Sequence, residues 1–142
     1  MIKLTTKQLA QILNADLIGD EQAVVENINT DTRRSVSNSL FFALKGEHFD
    51  AHQYLDKAVE QGATALVVQQ ANTEIATPQL VVSDTRLALG QLAKWLREKI
   101  NPRTVAMTGS SGKTTVKEMT ASILQQTSGN PEAVLFTNGN FN

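Results

Sequence analysis

The chain predicts an α/β fold in two parts, a small N-terminal α/β domain followed by the beginning of a second α/β domain. Three observations predict it. Up to residue 83, short β-branched or apolar runs alternate with helix-length amphipathic stretches. A longer amphipathic stretch, "DTRLALGQLAKWLREKI", then breaks the alternation. Beyond it, an apolar run, a glycine-rich turn and another amphipathic stretch succeed one another in "RTVAMTGSSGKTTVKEMTASIL".

Thr5 and Gln8 have the spacing of a capping box, and Leu9, Ile12 and Leu13 share one face, so a first helix is expected from about Thr5 to Asn14. Gly19 and Asp20 punctuate the chain after it. "AVVENINTDT" and "SLFFALKG" read as strands, separated by the polar turn "RRSVSNS". Asp50 is placed to cap a helix whose face carries Leu55, Ala58 and Val59, and Gly62 to end it in the left-handed conformation. "TALVVQ" and "QLVVS" supply two more strands.

From Asp84, a plausible N-cap, Leu89, Leu92, Ala93, Leu96 and Ile100 form a stripe that stops short of Pro102, and this helix is expected to link the two parts. Trp95 beside the stripe is read as packing between domains. "RTVAMT" is expected to be a buried strand, Val116, Met119, Thr120, Ile123 and Leu124 the core face of the next helix, and "AVLFT" a final strand leading into "NGNFN". Two strands and one helix cannot cover both faces of a parallel sheet, so the second part is expected to be cut short.

Composition narrows the function classes. With 13 Lys and Arg against 14 Asp and Glu, interspersed, the formal charge is −1, which suggests neither a nucleic-acid surface nor a membrane patch. There is no cysteine, which removes disulfides and thiolate metal sites. The start "MIKLTTKQLA" lacks the apolar core of a secretory signal, and no apolar stretch approaches the roughly 20 residues of a spanning helix. A soluble, cytoplasmic protein is expected.

The turn from Gly109 to Thr115 carries the strongest chemistry. A triphosphate needs several donors converging on its oxygens, and consecutive backbone N–H groups ahead of a helix provide them. Gly109 and Gly112 allow close approach, Lys113 places an ammonium at the phosphates, Thr114 is positioned to ligate Mg²⁺, and Thr115 is a nearby hydroxyl. The common phosphate-loop pattern wants glycine at position 107, where this chain has Met107. Elsewhere, His48 and His52 flank Asp50 but straddle the expected cap, which favours surface or substrate-loop histidines over a metal site. Arg33 and Arg34 beside Asp31 are candidates for gripping an anion, with solvated arginines as the alternative. No Ser/His/Asp or Cys/His constellation is present.

With these residues in view, the chain resembles the N-terminal part of the Mur ligases, the ATP-dependent amide ligases of peptidoglycan precursor synthesis. "TDTRRSVSNSLFFALKGEHFDAHQYLDKAVEQGATALVV" resembles their uridine-nucleotide-binding domain, "VAMTGSSGKTTVKEMTASIL" their variant phosphate loop, and "NGNFN" the start of an asparagine-rich loop. Ser110 and Ser111 are most similar to the branch that adds D-alanyl-D-alanine to UDP-N-acetylmuramoyl-tripeptide.

The resemblance implies a substrate-binding domain over 1–83, a linker helix over 84–102 and a truncated P-loop ATPase domain over 103–142. Gly109, Ser110, Ser111, Gly112, Lys113, Thr114 and Thr115 would hold ATP, Lys113 as the catalytic residue and Thr114 as the Mg²⁺ ligand. Thr30, Thr32, Arg33, Glu47, His48 and Phe49 would hold the UDP moiety, while Asn140 and Asn142 would lie near the nucleotide. The family's downstream metal ligands, modified lysine and C-terminal domain are missing, so this chain alone is expected to be inert, and monomeric. Other expectations left open are a different P-loop enzyme such as a small-molecule kinase, and a non-catalytic nucleotide-sugar-binding module.

Overall fold

The capping box forms as expected: the Thr5 hydroxyl accepts from the Gln8 N–H and the Gln8 side chain accepts from the Thr5 N–H, which starts helix α1 at Thr6–Leu13. The computed structural model, which describes residues 3–47 and 49–137, divides into two units, Met1–Asn101 and Pro102–Asn142. In the first, strand β1 (Leu4–Thr5) pairs antiparallel with β3 (Val24–Val25) in a small ribbon. A five-stranded sheet has the order β2-β7-β6-β5-β4, built from β2 (Asp16–Ile18), β7 (Gln79–Val81), β6 (Ala63–Val68), β5 (Ser39–Phe42) and β4 (Asn27–Asn29). Its strands run parallel except β2, which is antiparallel to β7.

Every residue of β5 is buried because helices cover both faces of the sheet. On one face Leu40, Phe42, Ala65, Val67 and Leu80 meet Leu9 and Leu13 of α1 and Ala88 and Leu92 of helix α3 (Thr85–Ile100). On the other, Phe41, Leu66 and Val68 meet Ala51, Leu55 and Ala58, from a 3₁₀ turn (Ala51–Tyr54) and helix α2 (Leu55–Glu60). The first unit is therefore a three-layer α/β fold.

Helix α3, set apart as a link by its stripe, lies within this unit. Asp84 caps it through the N–H groups of Arg86 and Leu87, and the buried Thr85 hydroxyl donates to the Ala43 carbonyl at 2.9 Å, fastening its start to the end of β5. Trp95, half-buried, packs against the core shared with α1.

The expected strand over "AVVENINTDT" divides in two because the N–H groups of Glu26 and Asn27 both turn onto the Asn38 carbonyl, which sends Val24–Val25 to the ribbon and Asn27–Asn29 to the main sheet. Parallel neighbours β4 and β5 are joined without a crossover helix. The loop between them is held instead by Val36 N–H and the Ser35 hydroxyl, both on the Gln61 carbonyl, and by the Asn27 amide on the Ser37 carbonyl.

Gly62 ends α2 against that loop with φ of +100°, and a Cβ there would meet Ser37 Cα at 3.0 Å and the Val36 carbonyl oxygen at 3.2 Å. Gly62→Ala is expected to destabilise the first unit by about 2 kcal/mol, from positive φ and backbone overlap together. Urea unfolding followed by circular dichroism checks this; an unchanged midpoint would contradict the packing described.

In the second unit, helix α4 spans Lys113–Thr127 and a 3₁₀ turn spans Pro131–Ala133. Three expectations fail here. "RTVAMT" and "AVLFT" form no strand, because a strand is defined by a ladder of backbone bonds and neither segment has a partner among the described residues. Val116, Met119 and Ile123 of α4 are more than half exposed and Leu124 is 43% exposed, while Ala121 is buried. The stripe marks the face prepared for burial, but within this unit the surface beside it is the short turn Pro131–Ala133. "NGNFN" lies outside the described residues.

Candidate functional site

In a parallel sheet, ligands are generally received at the carboxyl ends of the strands. Two loops leave those ends beside one another. After β4, the Asn29 side chain accepts from the Asp31 N–H at 2.9 Å and donates to the Arg34 carbonyl at 3.3 Å, curling Thr30–Arg34 into a fixed turn. Asp31 then grips Arg33 through its backbone N–H and through Nε and Nη2, at 2.7 to 3.1 Å. These bonds from Arg33 hold the Asp31 carboxyl well below the usual carboxylate range. After β5, the Gly46 N–H donates to the Phe49 carbonyl and a bridge joins Lys45 to Asp50, forming a tight loop that projects Phe49.

Between them opens a cavity of about 530 Å³ lined by Thr30, Asp31, Thr32, Arg33, Phe41, Phe49, Ala51, Tyr54 and Lys57. Phe49 and Tyr54 stack at a centroid distance of 5.5 Å with only 10° between their planes, and both rings are substantially exposed. Flat aromatic surface, hydroxyls and two cations suit a ligand with a planar base and anionic groups. Thr30, Thr32, Arg33 and Phe49 are thus brought together in one cavity. Glu47 is not: it lines a separate opening with Lys45, Gln69 and Arg86, because the loop turns it away from Phe49. His48 lies outside the described residues.

Sequence reasoning missed Tyr54 and Lys57. The signal available was that Tyr54 is the one tyrosine of an aromatic-poor chain, at the start of a helix, with Lys57 one turn further on. His52, expected on the surface or in a substrate loop, is mostly buried instead. Its Nδ1 lies 2.6 Å from Asp50 Oδ1, and its Nε2 accepts the Gln69 N–H at 2.9 Å. Asp50 also accepts the His52 backbone N–H, which is the main reason its carboxyl is held below the ordinary value.

In the second unit, Gly112 takes φ of +75°, a conformation costly for other residues, and swings the chain into α4 without a side-chain cap. The first N–H groups of a 15-residue helix thus have no capping side chain. Ser110 and Ser111 flank this end, and the Lys113 ammonium lies over the turn, donating to the Gly109 carbonyl at 2.5 Å. An uncapped helix start, hydroxyls and one ammonium fit a polyphosphate. Thr114 would offer Mg²⁺ one hydroxyl oxygen.

The family model described as "Mur ligase family, catalytic domain" matches residues 24–96, just over half of the chain. The chain belongs to the Mur ligase family. Among relatives within it, the chain is 82% identical over its whole length to the UDP-N-acetylmuramoyl-tripeptide–D-alanyl-D-alanine ligase of Haemophilus influenzae, and it spans 31% of that protein. Two solved Mur ligase structures are similar: MurF from Acinetobacter baumannii, with TM-score 0.80 and 41% identity over 89% of this chain and 28% of that one, and MurF from Thermotoga maritima in complex with ADP, with TM-score 0.57 and 28% identity over 72% of this chain and 24% of that one.

Proposed function

We propose that this chain carries the UDP-substrate-binding domain and the ATP-binding loop of a ligase that joins D-alanyl-D-alanine to UDP-N-acetylmuramoyl-tripeptide, in the cytoplasm and as a monomer. The observation that carries the reading is the cavity at the ends of β4 and β5, where Thr30, Thr32 and Arg33 face the Phe49–Tyr54 stack. The name of the Haemophilus influenzae relative states both substrates, and the Thermotoga maritima structure holds ADP. In this reading the substrate-binding unit runs to Asn101, because α3 shares its core, and the phosphate loop belongs to the unit that begins at Pro102.

The chemistry divides between the units. A carboxylate is a poor electrophile, so the peptide carboxylate first takes the γ-phosphoryl group of ATP; the resulting acyl phosphate is attacked by the amine of D-alanyl-D-alanine, releasing phosphate. Phosphoryl transfer needs positioning and charge neutralisation above all. The N–H groups at Gly109–Gly112, the hydroxyls of Ser110, Ser111 and Thr115, and the Lys113 ammonium supply both. Mg²⁺, held in part by Thr114, would neutralise phosphate charge. Thr30, Thr32, Arg33 and the aromatic pair hold the UDP end of the acceptor.

Titration calorimetry of the chain with UDP-N-acetylmuramoyl-tripeptide tests this. Base stacking on an aromatic ring is worth about 1–3 kcal/mol, so Tyr54→Ala is expected to weaken binding by about tenfold. No binding, or equal binding by the variant, would refute the placement of the uridine end in this cavity.

A further inference from the structure

The carboxyl edge of the sheet carries a second set of polar contacts that phosphate and uridine binding do not use. A backbone N–H can only donate, so the bond from Gln69 requires His52 Nε2 to be unprotonated, and the ring proton sits on Nδ1, directed at Asp50 2.6 Å away. The Gln69 side chain continues the line, donating to the Ser83 carbonyl at 2.9 Å, one residue before the cap of α3. Asp50, His52, Gln69 and Ser83 thus tie the loop after β5 to the ends of β6 and β7. The tie holds the 3₁₀ turn Ala51–Tyr54 in place, and with it the Tyr54 ring that stacks on Phe49.

We propose that His52 is a positioning residue that works as a pH-sensitive latch: neutral, it holds the Tyr54-bearing turn against the sheet; protonated at Nε2, it releases Gln69 and loosens the aromatic pair. Protonation sets one N–H against another, so the bond cannot survive in place. The charged groups sharing its cavity are Lys45 and Asp50 from the loop after β5 and Glu74 from the loop after β6. Asp50 keeps the Nδ1–H in both charge states, with Lys45 3.8 Å from its other oxygen, so the change falls on the Gln69 side. The consequence for ligand affinity rests on the reading of the neighbouring cavity as a UDP site; the latch itself does not.

The test uses the whole chain and separates the two. Tyr54 is the single tyrosine, so ring-labelled tyrosine gives one unambiguous set of resonances. As the pH is lowered from about 7.5 to 5.5, the Tyr54 ring signals and the Gln69 amide are expected to shift together with the His52 ring nitrogens as these pass from the Nδ1–H form to the doubly protonated form. His52→Gln can still accept from Gln69 and donate to Asp50, so its Tyr54 signals are expected to stay in the neutral-pH position throughout. This variant keeps His48, so the difference between the profiles belongs to His52.

An Nε2–H tautomer at neutral pH, a Tyr54 signal indifferent to pH, or the same pH response in His52→Gln would overturn the latch. The diesterified diphosphate of UDP-N-acetylmuramoyl-tripeptide does not titrate in this range, so its affinity is expected to fall about fivefold on acidification in the native chain and by less than about twofold in His52→Gln. A rise in affinity on acidification would overturn the positioning role. Failure of both proteins to bind at neutral pH, with the Tyr54 response intact, would sink the site reading and leave the latch standing.

Discussion

In a full-length ligase of the kind proposed, Lys113→Ala is expected to lower phosphoryl transfer by about a thousandfold or more while leaving affinity for UDP-N-acetylmuramoyl-tripeptide within about twofold. Charge builds on the phosphoryl oxygens as the group transfers, and a preorganised cation at that point is worth several kcal/mol. Lys113 is the cation on the glycine turn; Lys117, one helical turn on, is committed to the Thr137 carbonyl at 2.6 Å. Alanine is a better helix former than lysine and Lys113 opens α4, so loss of the helix would not account for the effect. Phosphate release with all substrates present gives the rate, and calorimetry with the UDP substrate gives the affinity. Turnover retained within tenfold would remove Lys113 from the reaction; loss of both quantities together would contradict the division between the two units.

Phe42→Ala is expected to lower the melting temperature of the first unit by about 15 °C or more. Phe42 is fully buried among Leu40, Val67, Leu80 and Leu92, in the layer between sheet and α1 and α3. Truncating a core phenylalanine costs about 3–5 kcal/mol, lost transfer energy and the cavity together. A domain of this size holds about 5–15 kcal/mol in all, and each kcal/mol moves its midpoint by about 4–8 °C. Phe42→Leu should recover most of the loss. A shift below about 5 °C for alanine would mean that the layer collapses around the gap, or that Phe42 does not face it.

How far each element could be read in advance depends on where its physics lies. Helices α1 and α3 were legible because their signals are local: a capping box at Thr5 and Gln8, an aspartate cap at Asp84, and stripes long enough to show a period. β5 and β6 were legible as unbroken apolar runs. β1 and β2, two and three residues long, carry no period and exist through their partners Val24–Val25 and Gln79–Val81. The same dependence explains why "RTVAMT" and "AVLFT" fail as strands despite suitable residues, and why the apolar stripe of α4 stands exposed.

The site divides in the same way. Thr30, Thr32 and Phe49, which line the cavity, were named through the family resemblance alone, and Arg33 also through its chemistry beside Asp31. Tyr54 and Lys57 were not, because they enter the cavity by packing of α2 on the sheet, which no local spacing announces. His52 was misplaced for a related reason. Its partners are a carboxylate two residues away and a backbone N–H seventeen residues on.

The outermost strands of the five-stranded sheet, β2 and β4, are each three residues long. At β4 the side chains of Asn27 and Asn29 are spent on carbonyls of their own loop. Margins this short offer an incoming chain few backbone positions to pair with, which protects a sheet rich in Val, Leu and Phe from growing by strand addition into aggregates.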